Sequence, residues 1–392
     1  MDFIPYGRQN IIQEDEAQVL DTLKSEFLTQ GPKAKAFAEQ MAAYTGASYG
    51  LALNSATSAL HLACLALGLE SGDVLWTSPI TFVASANCAL YCAAKVDFVD
   101  IDPRTYNISV AALEEKLAKA KAINSVPKVL VVVHFAGQSC EMKAIKILCE
   151  QYGVSIIEDA SHAVGADYLN KKVGCCEYSD ISVFSLHPVK IITTGEGGLA
   201  LTNDKNLHQK MILCHSHGVT RNEELMTEPS HGPWYYEQID LGFNYRMTDL
   251  QAALGLSQLK RADQFVARRR ALAKQYFEML SDCSVTLPYQ HPDSDSSYHL
   301  FPIVLELENR AERKQVRKSV FVKLREANIG VNVHYIPVHT QPYYQNLGFH
   351  WGDFPNAESY YFGTISLPLH HGMTDKEQIY IVQSLQRALN EH

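Results

Sequence analysis

The chain has 392 residues, 46% of them hydrophobic, and a formal charge of −9 at pH 7. This length is sufficient for two domains with a substantial core, whereas the acidic balance argues against a general nucleic-acid surface, because phosphate backbones require clustered Lys and Arg. No apolar run approaches the roughly 18 residues that a membrane helix needs, so no membrane span is expected.

The first residues of the chain and its cysteines indicate the cellular compartment in which the protein is expected. No basic region followed by an apolar run begins the chain, so no secretory signal is expected. The nine cysteines are an odd number without a C-x-x-C pair, which is typical of reduced thiols in a cytoplasmic protein. The sequence has neither an H-E-x-x-H motif nor a spaced Cys/His quartet, and no metal site is expected.

Short β-rich runs alternate with helix-like segments from about residue 50 to 205. Apolar residues recur at helical spacing over residues 57–67, which predicts a helix. Residues 129–133 are apolar throughout, as in a strand that is covered on both faces. Strands are expected at residues 50–53, 96–99, 129–135, 155–158, 181–184 and 199–202. The alternation predicts an α/β fold with a mostly parallel central sheet.

The first predicted strand continues into a helix through small and hydroxylated residues, Asn54-Ser55-Ala56-Thr57-Ser58. Small residues let backbone amides approach a ligand, and the free N–H groups and dipole at the start of a helix attract an anion. We interpret the junction as a phosphate site, although an ordinary N-cap by Ser55 or Thr57 produces the same pattern.

An acid and a lysine follow two later predicted strands. Asp159 comes directly after residues 155–158, and Lys190 lies between the next strand and the run Gly195-Glu196-Gly197-Gly198. Pyridoxal phosphate chemistry needs such a pair, because a carboxylate keeps the ring nitrogen of the cofactor protonated while a lysine carries its aldehyde as a Schiff base. Alone, Asp159 reads as a turn cap and Lys190 as a solvated lysine. Together, in this order, they predict pyridoxal 5'-phosphate.

The last third of the chain has a different pattern. A long helix is expected from Leu250 to about Leu280, followed by a strand at 301–307, a helix at 313–327 and a strand at 331–335. These elements predict a smaller α+β domain. We expect an N-terminal arm and a large cofactor-binding domain over residues 1–258, and a linker helix and a small C-terminal domain over residues 259–392.

Several motifs along the chain match a known family. They are the segments 26–31 and 54–60, Ser78-Pro79-Ile80-Thr81-Phe82, Asp159-Ala160-Ser161-His162, Ser216-His217-Gly218, Asn244-Tyr245-Arg246, the run 251–260 and His334-Tyr335-Ile336-Pro337. With these motifs the chain resembles, essentially end to end, the DegT/StrS sugar aminotransferases, and most closely those of pseudaminic acid biosynthesis. The resemblance implies a fold-type I PLP-dependent transferase, in which a large domain with a mostly parallel central sheet is joined to a smaller α+β C-terminal domain.

The resemblance assigns catalytic and cofactor-binding roles. Lys190 would carry the cofactor and move the proton, Asp159 would bind the pyridine nitrogen, and His162 would lie by the phenolic oxygen. Phe82 would stack on the ring, as its aromatic side chain allows, although an ordinary core position is the alternative. The implied phosphate ligands are Ala56, Thr57 and Ser185, with Asn244 reaching in from the second subunit of a homodimer.

The resemblance also implies a substrate pocket and a reaction. The amino group of L-glutamate would pass to C4 of a UDP-linked 4-keto-6-deoxy-N-acetyl hexose in two half-reactions. Some relatives with histidine in place of the lysine run a dehydration, so Lys190 favours transamination. For His334 and Tyr335 an ordinary strand is the alternative. The implied substrate-binding residues are Tyr6, Glu26, Phe27, Leu28, Thr29, His334, Tyr335, Ile336 and Pro337.

Three alternatives remain open from sequence. The acceptor could be another UDP- or dTDP-linked keto-sugar. The protein could be a non-catalytic PLP-binding regulator, against which the intact Lys190, Asp159 and His162 argue. An enzyme acting on amino acids would need a carboxylate-binding arginine, and Arg246 is available. The sequence assigns no contact to residues 232–236, and candidates for the diphosphate are Lys33, Arg221, Arg246 and His334.

Overall fold

The computed structural model describes residues 2–307 and 309–391. Its helices are α1 (Gln13–Leu23), α2 (Pro32–Thr45), α3 (Ala56–Ala66), α4 (Ala84–Tyr91), α5 (Val110–Ala122), α6 (Met142–Tyr152), α7 (Lys205–His215), α8 (Asp249–Leu259), α9 (Ala262–Met279), α10 (Arg310–Glu326), α11 (Pro342–Gln345), α12 (Pro355–Gly363) and α13 (Asp375–Asn390). Its strands are β1 (Tyr49–Leu53), β2 (Val74–Thr77), β3 (Lys95–Phe98), β4 (Val129–Val133), β5 (Ser155–Asp159), β6 (Asp167–Tyr168), β7 (Lys171–Lys172), β8 (Ile181–Ser185), β9 (Gly198–Thr202), β10 (Val219–Thr220), β11 (Glu237–Gln238), β12 (Val285–Thr286), β13 (Ser294–Asp295), β14 (Phe301–Leu305) and β15 (Thr364–Leu367). Within these two ranges, no helix is both long enough and apolar enough to cross a membrane.

A seven-stranded sheet forms the centre of the larger part of the chain. Its strand order is β1-β9-β8-β5-β4-β2-β3, and β9 runs against the direction that the other strands share. Every residue of β4 is buried. Val131 packs in the cluster that contains α3 and α4, whereas Val132 packs with α5 and α6, so helices cover both faces. The mostly parallel central sheet that the sequence predicts is therefore confirmed.

The predicted strands of this sheet are present, and the largest difference is at one end of β4. That strand ends at Val133 instead of residue 135, because Phe135–Gly137 forms a 3-10 turn in which Ala136 has a φ of 58°. β2 is a strand that the sequence pattern does not reveal. Four residues are too few to establish a period.

The C-terminal part is built around a second, antiparallel sheet with the order β12-β14-β15. Its core joins Phe301 of β14 to Leu272 of α9, Leu324 of α10 and Leu385 of α13. A strand and helices thus share one apolar core, as in an α+β arrangement.

Two expectations for this part are wrong. The single helix expected from Leu250 to Leu280 is two helices, α8 and α9, separated at Lys260 and Arg261. The side chain of Arg261 binds Asp15 and Asn10 near α1, so the break lies where the chain is held against the N-terminal arm. The expected strand at 331–335 is reduced to one isolated bridge between Asn332 and Ser366, and the Asn332 side chain accepts the Val333 amide.

The N-terminal arm connects the two parts. Ile4 is buried in the core of the small sheet, and its carbonyl accepts a hydrogen bond from the amide of Gly330 at 2.7 Å. Two residues later, the carbonyl of Tyr6 accepts the amide of Leu369 at 3.1 Å. These contacts fix Tyr6 between the small sheet and the edge of the large one.

Gly198 allows β9 to begin directly against the first turn of α3. A Cβ at this position would lie 2.3 Å from the carbonyl carbon of Ser55 and 2.4 Å from the amide nitrogen of Ala56. Both atoms belong to the backbone and cannot rotate away. The absence of a side chain at Gly198 therefore determines where α3 starts relative to the sheet.

We expect Gly198→Ala to lower the free energy of unfolding by about 3 kcal/mol, since the added methyl group must displace a helix terminus. Gly372→Ala is a matched control, because its Cβ would meet its nearest neighbour, Nδ1 of His370, at an ordinary 3.6 Å. Urea unfolding followed by circular dichroism measures both. An unchanged midpoint for Gly198→Ala would contradict the close approach.

Candidate active site

The carboxyl ends of the parallel strands surround one cavity of about 540 Å³. β5 ends at Asp159, β8 ends at Ser185, and β1 leads into α3. Because these three strands point the same way, the segments that follow them meet at one edge of the sheet. The predicted residues that line the cavity are Tyr6, Ala56, Thr57, Phe82, Asp159, His162, Ser185, Lys190, His334 and Tyr335.

The carboxylate of Asp159 is buried and held by two donors. Its Oδ2 accepts a hydrogen bond from Ser85 Oγ at 2.6 Å, and its Oδ1 accepts the amide of Ser161 at 3.2 Å. The preceding residue, Glu158, points to the opposite face of the sheet, where its Oε2 lies 2.8 Å from Nε2 of His134. Strand alternation thus selects Asp159 as the acid that faces the cavity.

Lys190 lies in the turn after β8, where its amide donates to the carbonyl of His187 at 2.9 Å. Burial lowers the pKa of Lys190 to about 8, although the nearby carboxylate of Asp159 acts in the opposite direction. The neutral amine, which is the nucleophilic form, is therefore populated near pH 8 instead of above pH 10.

His162 is a buried, neutral imidazole. Burial is the main cause that lowers its pKa well below the usual range, and the charge of Lys190 adds to it. Nδ1 accepts the amide of Ala136 at 3.3 Å, and Nε2 lies 3.1 Å from Oη of Tyr335. Because Nδ1 is an acceptor, the proton is on Nε2, which donates to Tyr335. The contacts fix one tautomer of His162.

The start of α3 forms the opposite wall. Ser55 is the N-cap, and its side chain accepts the amide of Ser58 at 3.1 Å. The first-turn amides of Ala56 and Thr57 have no acceptor in the part of the chain that the structure describes. The N-cap and the anion site are thus compatible, since one hydroxyl satisfies one amide and leaves two others for a ligand.

Aromatic residues form the remaining side of the cavity. Phe82 is 60% exposed, and the centroid of its ring lies 6.4 Å from that of Tyr335. The rings of Tyr6 and His334 have centroids 5.3 Å apart. Burial, and secondarily Lys190, lower the pKa of His334 to about 3, so this imidazole is neutral. Its Nδ1 lies 2.9 Å from Ser366 Oγ and its Nε2 lies 3.3 Å from Nδ2 of Asn332, so His334 brings no positive charge to a diphosphate and both of its ring nitrogens have partners.

Other predicted residues do not line this cavity. Glu26–Thr29 is an exposed segment, and Asn244 is exposed with its carbonyl 3.4 Å from Nδ2 of Asn54. Among residues 2–307 and 309–391, Lys190 is the only lysine or arginine in the cavity wall. Outside the wall lie Glu26, Phe27, Leu28, Thr29, Asn244, Ile336 and Pro337, together with the diphosphate candidates Lys33, Arg221 and Arg246.

A second concavity, here called the edge groove, has a volume of about 650 Å³. It runs along the edge strand β1 between α2 and α7. Arg246 lines it and donates from Nη1 to Ser216 Oγ at 2.8 Å. Gln30 and Gly31 line it as well, so the exposed segment before α2 leads directly into the groove.

Two residues that contact predicted site residues from outside the cavity wall are absent from the sequence predictions. Ser85, which holds Asp159, also lies 2.7 Å from Oγ1 of Thr81. Thr81 precedes α4 and Ser85 lies in its first turn, so a pair of hydroxyls four residues apart around a helix start is the signal that could have indicated Ser85. His299 packs against His162 with ring centroids 4.4 Å apart. No local pattern points to His299, because it is 137 positions away along the chain.

The residues present fit pyridoxal 5'-phosphate. Free helix amides at one wall suit its phosphate, and the carboxylate of Asp159 suits a protonated ring nitrogen. The exposed face of Phe82 suits an aromatic ring, and the lowered pKa of Lys190 suits reaction with an aldehyde. All four features line the same cavity.

Comparison with known proteins gives a consistent result. The DegT/DnrJ/EryC1/StrS aminotransferase family matches residues 9–386. A UDP-4-amino-4,6-dideoxy-N-acetyl-beta-L-altrosamine transaminase of Campylobacter jejuni (strain 81-176) is 39% identical over 386 residues, which cover 97% of this chain and 96% of that protein.

Solved structures show the same similarity. PseC of Helicobacter pylori, an aminotransferase of pseudaminic acid biosynthesis, matches with a TM-score of 0.89 and 34% identity over 100% of both chains. The PLP form of Spr1654, a putative sugar aminotransferase of Streptococcus pneumoniae, matches with a TM-score of 0.88 and 27% identity over 99% of both chains.

The pKa of Lys190 predicts how the rate of pyridoxal phosphate capture depends on pH. Only the neutral amine attacks an aldehyde, so with a pKa of about 8 the rate should rise with pH. We expect about a fivefold rise from pH 7 to 8 and less than a twofold rise from pH 8 to 9. Stopped-flow absorbance on the cofactor-free protein measures this rate.

Nα-acetyl-lysine is the control for an unburied amine, and its rate should still rise about tenfold per pH unit at pH 9. A protein profile that follows this control would contradict the lowered pKa of Lys190. A profile that is flat from pH 6 to 9 would also contradict it, because an amine with a pKa of about 8 must lose its proton within this range.

Proposed function

The chain belongs to the DegT/DnrJ/EryC1/StrS aminotransferase family, and we propose that it transfers the amino group of L-glutamate to C4 of a UDP-linked 4-keto-6-deoxy-N-acetyl hexose. It is a PLP-dependent nucleotide-sugar aminotransferase, of the type found in pseudaminic acid biosynthesis. The observation that carries the proposal is the convergence of Lys190 and Asp159 on one cavity.

Each side chain of the cavity has a role that follows from its contacts. When bound, pyridoxal phosphate supplies an electron sink for the carbon that exchanges its amino group. Asp159, oriented by Ser85 and Ser161, would hold a proton at the ring nitrogen. The amides of Ala56 and Thr57 would hold the phosphate.

Lys190 would hold the aldehyde carbon of the cofactor and move the proton. Its Nζ acts as a base toward the carbon that loses the amino group and as an acid toward the carbon that gains it. A pKa of about 8 suits both directions near neutral pH, because a general acid–base catalyst is most effective when its pKa lies close to the working pH.

The charge of the cavity supports a homodimer with shared active sites. A UDP-linked sugar brings a diphosphate and L-glutamate brings two carboxylates, yet Lys190 is the only lysine or arginine that the described residues place in the wall. Asn244 and the segment Glu26–Thr29 lie outside the wall, and Arg246 lines the edge groove. A second copy, related by a two-fold axis, would bring these residues over the partner's cavity.

The state of the cysteines supports a cytoplasmic location as part of this proposal. All nine cysteines are free thiols, and seven of them are buried. Thiols persist in reducing compartments, whereas disulfides form in oxidising ones.

Transfer of labelled nitrogen tests the reaction. With nitrogen-15 L-glutamate, the purified protein should place the label on a UDP-4-keto-6-deoxy-N-acetyl hexose, as read by mass spectrometry of the product. Lys190→Ala should lose at least 10²-fold in rate, because it removes the general acid and base. Lys274→Ala, which removes an exposed lysine of α9, is the matched control and should keep full activity.

The same label-transfer assay is repeated with a panel of other UDP- and dTDP-linked keto-sugars as acceptors. If only a dTDP-linked sugar becomes labelled, the proposed acceptor is wrong and the proposed transamination still stands. Label on no sugar nucleotide would refute the proposed function, and so would full activity of Lys190→Ala.

Subunit mixing tests the shared site. Sedimentation equilibrium should give twice the 43.8 kDa of one chain. Asn244→Ala should bind pyridoxal phosphate about tenfold more weakly, since it removes one hydrogen bond to a charged group. At limiting cofactor, mixed Asn244→Ala and Lys190→Ala subunits should regain activity that neither has alone. A monomer, or mixtures without recovery, would contradict the shared site.

A further inference from the structure

We propose that Trp234 and Tyr236, on the hairpin formed by β10 and β11, are a stacking platform for the nucleobase of the substrate in the partner subunit. The inference rests on the proposed function, because it needs a nucleotide-linked substrate and a shared site. It assigns a role to the segment 232–236, for which the sequence provides no contact.

The hairpin is an ordered structure. Val219 pairs with Gln238, and Thr220 pairs with Glu237. The Glu237 carboxylate then organises the connection between the strands, because it accepts the amide of Thr227 at 2.7 Å and Tyr235 Oη at 2.9 Å. The side chains around Glu237 are therefore presented from a defined backbone.

Residues alternate between the two faces of the second half of the hairpin. Trp234 is 72% exposed and Tyr236 is 55% exposed, whereas Tyr235 and Glu237 between and after them are partly buried. Trp234 lies in a turn that the amide of Tyr235 closes by donating to the carbonyl of Gly232 at 2.9 Å, and Tyr236 directly precedes β11. Both rings are thus held by the backbone of the hairpin and exposed to solvent, where a planar base can stack on them.

The base of the hairpin is fixed beside Asn244. Gly218 has a φ of 68°, and a Cβ on it would lie 1.9 Å from the carbonyl oxygen of Asp240. The amide of His217 donates to the carbonyl of Phe243 at 2.9 Å. The two ends of the hairpin thus cross at a position directly adjacent to Asn244. If Asn244 reaches the partner's cavity, the hairpin lies at the mouth of that cavity.

The charge of the hairpin indicates which part of the substrate it meets. Its exposed acids, Glu223, Glu224, Glu228 and Asp240, outnumber its exposed arginine, Arg221, so the hairpin as a whole repels a diphosphate. Aromatic side chains stack on every base, because every base has a π-face. The platform should therefore add affinity for UDP and dTDP alike, and it should not select the base.

Titration with UDP tests the platform without depending on catalysis. We expect Trp234→Ala to weaken UDP binding about tenfold by isothermal titration calorimetry, and Trp234→Phe to stay within about threefold, because the smaller ring still stacks. Trp351→Phe, at a half-exposed tryptophan of the small domain, is the control and should bind UDP normally. The affinities of these variants for dTDP should follow the same order as their affinities for UDP.

Normal UDP binding by Trp234→Ala would overturn the platform, and label transfer by the wild type would then still support the proposed function. Dissociation of Trp234→Ala into monomers would also overturn it, by showing that the hairpin is a subunit contact. If the wild type aminates no sugar nucleotide, the proposed function fails, yet the UDP titration still reports on Trp234.

Mixed subunits test whether the platform acts across the dimer. In a heterodimer purified from a mixture of Trp234→Ala and Lys190→Ala subunits, the site that keeps Lys190 would face an intact hairpin on its partner. The KM for the sugar nucleotide should then equal that of the wild type, while Trp234→Ala alone should raise KM about tenfold at unchanged kcat. A raised KM in the heterodimer would place the platform in its own subunit and overturn the inference.

Discussion

The structure depends on keeping a carboxylate and an amine together in a cavity that withdraws both from bulk water. Burial favours the neutral amine of Lys190, while the charge of Asp159 favours the protonated form, and the balance leaves a pKa of about 8. The Asp159 carboxylate stays in place because Ser85 and Ser161 donate to it. A hydrogen bond to a charged group is stronger than one between neutral groups, so the hydroxyl of Ser85 on α4 helps to hold the acid in its position.

Local patterns were sufficient to predict the centre of this arrangement. The apolar run of β4, the acid at the end of β5 and the small residues at the start of α3 each report on their own segment, and parallel strands bring such segments to one edge. The features that these local patterns did not predict depend on contacts between residues far apart in the sequence. His299 contacts His162 from the C-terminal part of the chain. The break between α8 and α9 lies where Arg261 donates a hydrogen bond to Asp15, 246 positions away.

A single chain carries a site whose charge does not match its proposed ligands. The protein has a net charge of −9, and its cavity wall contributes one lysine toward ligands that carry several negative charges. Neutral His162 and His334 do not compensate, since burial suppresses their protonation. An acidic protein can bind an anion where positive charge and hydrogen-bond donors are clustered locally. In a two-fold dimer, residues that lie far apart on one chain would form such a cluster at each cavity.

The arm that carries Ile4 and Tyr6 has a practical consequence for handling the protein. Ile4 completes the apolar core of the small sheet while Tyr6 forms part of the cavity wall. Removing these few residues would therefore open a hydrophobic core and a binding pocket at once. Affinity tags and fusion partners are better placed on the side of α13, none of whose residues lines the cavity.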